Sequence, residues 1–67
     1  MRKLVDRIFS IESGVEKHYV EISGDSTETK PTAGIVDGSL FTESDTGKVF
    51  FFNEKSGDWV EQFAFQS

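Results

Sequence analysis

The sequence predicts a small all-β domain, an antiparallel meander of about five strands built from an N-terminal hairpin and a C-terminal three-stranded sheet. Three observations support this. Aromatic residues make up 13% of the chain and seven of them are Phe, while Leu occurs only at Leu4 and Leu40, a balance that suits strands better than helices. Two separators, Asp45-Thr46-Gly47 and Lys55-Ser56-Gly57, place Gly third and sit ten residues apart, the rhythm of a tight meander. His18-Tyr19-Val20-Glu21-Ile22 alternates cleanly, with Val20 and Ile22 on one side.

The N-terminal segment carries two patterns. Leu4, Val5, Ile8 and Ile11 fit helical spacing, whereas Val5, Phe9 and Ile11 against Asp6, Arg7 and Ser10 partly fit alternation, and periodicity alone does not choose between them. The expectation is a strand over 7–12, a turn at Ser13-Gly14 and a second strand over 17–23. Residues 24–38 are rich in turn formers, and Pro31 excludes a central strand there. A connection of this length exceeds the usual 4–6 residues or so, so it reads as a long loop or an arm reaching across the sheet or to a neighbour.

The C-terminal runs are 39–43, 48–52 and 59–65. A three-residue loop closed by Gly in the left-handed region pairs Ser44 with Lys48 and Glu54 with Asp58. Phe41 then faces Phe51 and Phe52 faces Val60. One face carries Phe41, Val49, Phe51, Trp59, Phe63 and Phe65, and the other carries Leu40, Phe50, Phe52, Val60 and Ala64. Two apolar faces exceed what one short chain covers, since an antiparallel sheet normally leaves one face wet. The sequence does not choose which face is core; the first set is the candidate interface of a homo-oligomer, and the alternative is a more curved sheet wrapping its own core.

Sixty-seven residues allow one domain, 1–67, without cysteine and with a single His18. Disulfides and thiolate metal sites are thereby excluded, and self-association is the remaining way to stabilise so small a core. The formal charge is −5, with six acids against Lys48 and Lys55 in 31–67. Acidity opposes nucleic-acid backbones and anionic membranes. The longest apolar run, Val49 to Phe52, is four residues, far short of a membrane span, and the first residues lack the apolar stretch of a signal peptide. The expectation is a protein made in the cytosol.

Several groups of polar residues bear on possible chemistry. Asp45-Thr46-Gly47 matches the short signature of aspartic proteases, whose paired carboxylates share a proton, but Ser44 and Lys48 flank it and a turn explains all three residues. His18 has no distinctive serine motif beside it for nucleophilic catalysis. Two carboxylates across a cleft would suit glycoside hydrolysis, yet a chain this small does not readily enclose one. Asp25-Ser26-Thr27-Glu28 and Asp45 depart from the calcium loop pattern. No catalytic residue, cofactor or metal is assigned. Trp59 reads as core or subunit interface ahead of a sugar-stacking platform.

The stretch from Gly38-Ser39 through Phe41-Thr42-Glu43, Asp45-Thr46-Gly47-Lys48 and the aromatic run to Trp59-Val60 resembles small phage and prophage structural proteins of Gram-positive hosts. The loop around Lys30-Pro31-Thr32 resembles them too, so the similarity spans roughly residues 27–65, while the first 23 residues match no family pattern. The resemblance implies a non-enzymatic virion component, of the head-fibre, decoration or tail-associated kind, located in the virion or host cytoplasm and contacting other virion proteins. The alternative is a small ligand-binding module, for host-surface carbohydrate, using exposed aromatics.

Overall fold

The computed structural model describes residues 1–62. It holds one five-stranded sheet in the order β1-β2-β3-β4-β5, with β1 Arg2–Glu12, β2 Val15–Gly24, β3 Leu40–Glu43, β4 Val49–Asn53 and β5 Asp58–Gln62. The expected all-β fold, its N-terminal hairpin and its three later strands are all present.

The hairpin turns at Ser13-Gly14 as expected, with φ of 52° and 79°. Positive φ at both central residues matches the twist of the flanking strands. β1 starts five residues earlier than the expected strand over 7–12 and is bulged between Lys3 and Val5 and between Ile8 and Ser10. Those bulges explain why alternation fits this segment only in part.

Two expectations are corrected. First, β2 and β3 pair parallel, with Ile22 beside Phe41. A parallel pair requires a crossover of about a dozen residues or more, and the segment between β2 and β3 provides it. Second, the registers of both C-terminal hairpins are shifted by one residue. Phe41 faces Phe50, and Phe52 faces Trp59. Gly47 and Gly57 do take the left-handed conformation, but their N–H groups donate to the carbonyls of Glu43 and Asn53 at 2.8 Å. Each loop therefore has four residues, starting at Ser44 and Glu54, and one added residue exchanges the faces.

The consequence is a single core face. Val20, Ile22, Phe41 and Phe52 point to it and Ile35 of the crossover covers it, with Phe50 and Trp59 packed at its margin. Phe41 is completely buried. Val49, expected on its side, is half-buried on the opposite face, where Phe51 and Val60 are exposed.

Phe41→Ala removes the central core side chain and is expected to cost about 3–5 kcal/mol, close to the whole stability of so small a domain. Phe51→Ala is expected to cost under about 1 kcal/mol. Chemical denaturation followed by circular dichroism measures both; equal losses would contradict the assigned faces.

Candidate functional site

Three of the crossover's fastenings lie along the core face. The indole N–H of Trp59 donates to the Pro31 carbonyl at 2.8 Å, while its ring meets Phe52 and Phe41 edge-on at 5.1 and 5.8 Å. Lys30 pairs with the nearly buried Glu43 at 2.7 Å and lies 4.8 and 4.4 Å from the ring centres of Phe41 and Phe50. Glu43 also accepts from the Thr46 hydroxyl at 2.7 Å, and these bonds, Lys30 first, hold its carboxyl below the usual range. The third point is a backbone bridge, where the His18 N–H donates to Gly34 O at 2.7 Å and the Val36 N–H to His18 O at 3.0 Å.

Asp45-Thr46-Gly47 belongs to this fastening. Asp45 accepts from the Ser26 N–H at 3.0 Å and from its hydroxyl at 2.6 Å, Thr46 satisfies Glu43, and Gly47 supplies the left-handed residue. Each member of the triplet has a structural task that its side-chain chemistry explains.

Beyond His18 the hairpin is thinly covered among the described residues, by Gly34 against the Glu16 carbonyl and by Glu54, 3.7 Å from Lys17. Residues 8–16 are exposed apart from half-buried Ser10, and the molecule measures 42 × 22 × 19 Å. Ile8, Phe9, Ile11 and Val15 lie on this arm with more than half their surface in solvent, Phe9 at 70%, and Leu4 is equally bare further down β1. An isolated two-stranded hairpin is marginal in water, so this arm depends on its root.

The root is a charged cross-strand cluster. His18 Nδ1 lies 2.7 Å from Asp6 and Nε2 3.2 Å from Glu16. Carboxylates on both ring nitrogens favour the doubly protonated imidazolium, whose two N–H groups both donate. The Asp6 hydrogen bond, above all, raises the His18 pKa, and the reciprocal bond lowers that of Asp6. Beside it, Arg7 sits 5.8 Å over the Tyr19 ring, and the Tyr19 hydroxyl donates to Glu21 at 2.8 Å.

On the sheet face opposite the core, a shallow open groove runs between Asp37, Phe51, Asn53, Val60 and Gln62. Of the residues expected to form an interface, Phe41 and Trp59 serve the chain's own core, Phe51 borders this groove, Val49 is half-buried near it, and Phe63 and Phe65 lie outside the described residues. The bare apolar residues of β1 were not singled out from the sequence. Their signal was the run Leu4, Val5, Ile8, Phe9 and Ile11, too apolar for a solvated strand yet faithful to no single period. Among the described residues, no three His, Cys, Asp or Glu side chains are placed to hold a metal ion.

No family model matches this chain, and no curated protein or solved structure shows significant similarity to it.

His18 contributes stability fully below its ordinary pKa near 6.5 and loses that contribution as pH rises through the raised value. Asp6 contributes above its ordinary 3.8 and loses it as pH falls through its lowered value. The root is therefore firmest between the two. In NMR titration the imidazole is expected to titrate above 6.5 and to move back toward it in Asp6→Asn; an unchanged midpoint in the variant would contradict the pairing.

Proposed function

We propose that this chain is a non-enzymatic structural component acting through self-association and protein–protein contacts. The observation that carries the proposal is the arm, a ribbon of large apolar side chains in solvent on a chain whose own core is already covered. Exposed apolar surface gathered on one projecting element marks an interaction site. Complete burial of an Ile or Phe is worth about 1.5–3 kcal/mol. Covering Leu4, Ile8, Phe9, Ile11 and Val15 would thus add stabilisation comparable with that of the whole small domain.

The resemblance of residues 27–65 to phage and prophage structural proteins supplies the setting of the proposal. The chain would be a virion-associated piece, present in the particle or in the host cytoplasm before assembly, and its partners would be copies of itself and other virion proteins.

Sedimentation velocity on the full chain is expected to show a concentration-dependent oligomer in the micromolar range, and Phe9→Ser/Ile11→Ser is expected to shift it to monomer. Trp59 emission, which reports the body, should stay unchanged. A wild-type monomer throughout that range would overturn the proposal.

A second reading is favoured by the groove beside Phe51. An exposed aromatic flanked by Asp37, Asn53 and Gln62 has the composition of a sugar platform, with a ring face for stacking and polar side chains for hydroxyls. Binding to a host-surface glycan panel, abolished by Phe51→Ala, is the result this reading expects; no binding by the wild-type chain would dismiss it.

A further inference from the structure

Charge divides the molecule unevenly. Residues 1–24 hold four basic side chains (Arg2, Lys3, Arg7, Lys17) and four acidic ones (Asp6, Glu12, Glu16, Glu21), so the whole formal charge of −5 falls on residues 25–67, three basic against eight acidic. Two copies of the body repel, whereas two hairpins do not. The hairpin is also where the exposed apolar residues gather.

Within β1 the charge has a direction. Arg2 and Lys3 stand at the body end, and Glu12 stands at the tip with Glu16 facing Ile11 across the hairpin. β1 is the edge of the sheet over its whole length. Laying two β1 strands side by side in the same direction would set acid against acid at the tips. Laying them in opposite directions sets Arg2 and Lys3 of each copy against Glu12 of the other. That arrangement also places the two acidic bodies at opposite ends of the contact.

We infer that a second copy of this chain covers the arm, with the two β1 strands antiparallel about a two-fold axis near Arg7 and Ile8. The inference rests on the self-association proposed above and specifies its geometry. Bulges at Lys3/Val5 and Ile8/Ser10 interrupt the even spacing that a continuous backbone ladder needs. The contact is therefore made by side chains, with Leu4, Ile8, Phe9 and Ile11 of one copy packing on those of its mate. Such an isologous contact closes on itself, since each arm is both donor and acceptor of the same patch.

The chain has no cysteine, which makes directed cross-linking direct. Lys3→Cys and Glu12→Cys are mixed in equal amounts and joined with a short flexible bis-maleimide, and each is also treated alone. The antiparallel contact is expected to give the mixed cross-link as the main product, because it sets the start of one β1 beside the end of the other, and little homodimer from Glu12→Cys alone, because it holds the two tips apart by about the length of β1. Arg7→Cys, near the axis, is expected to bridge to itself. Sedimentation of the reduced variants and Trp59 emission confirm that they assemble and fold as the parent does. An oligomer in which Glu12→Cys bridges to itself as readily as to Lys3→Cys would overturn the antiparallel geometry and leave self-association standing. A monomer at every concentration would overturn both.

Discussion

Parallel pairing of β2 with β3 is the constraint from which the rest of the molecule follows. Two adjacent strands running the same way cannot be joined by a tight turn, so the chain must leave Gly24, travel back along the sheet and re-enter at Leu40. That return path lies across the face carrying Val20, Ile22, Phe41 and Phe52 and delivers Ile35 as its cover. A segment otherwise poor in apolar anchors is kept there by polar fastenings. Trp59 holds the Pro31 carbonyl, Glu43 holds Lys30, and the Asp45 turn holds Ser26. Glu43, which is buried, is thereby kept from being left unpaired, while the Ser26–Asp45 bonds hold the loop at the surface.

The same constraint decides what stays uncovered. One crossover covers one face over the breadth of β2 to β5, and its hydrogen bonds to β2 are made at His18. Among the described residues, the hairpin beyond His18 relies on cross-strand pairs, on the Asp6-His18-Glu16 cluster at its root and on the Lys17–Glu54 ion pair. The arm therefore combines weak intrinsic support with bare apolar side chains, and the hairpin that bears it has no net charge, while the acidic body has its core covered by the crossover. Exposed apolar surface and covered core are thus segregated along the chain.

Much of this was legible in the residues. Ser13-Gly14, Gly47 and Gly57 marked their turns correctly because a left-handed backbone leaves few choices of residue. The alternation of Val20 and Ile22 was legible because one side of β2 faces a true core. What a glycine does not record is how many residues precede it in its loop. Three- and four-residue loops both end on Gly, and the difference moved Val49 and Phe51 to the face away from Phe41. Nor does the composition of the crossover say in which direction the next strand joins. The arm was hardest to read, since no core on either side imposes a period on Leu4, Ile8, Phe9 and Ile11. The interface expected at Phe41 and Trp59 was drawn from the faces, so it moved when the register moved.

The central claim is a self-sufficient body bearing an arm that only another molecule covers. Amide hydrogen exchange of the full chain, followed residue by residue in dilute and in concentrated solution, tests it most directly. Protection at Val20, Ile22, Phe41 and Phe52 is expected at both concentrations, with Phe9, Ile11 and Glu16 gaining protection only when the chain is concentrated. Arm amides as protected as the core in dilute solution, or indifferent to concentration, would contradict it.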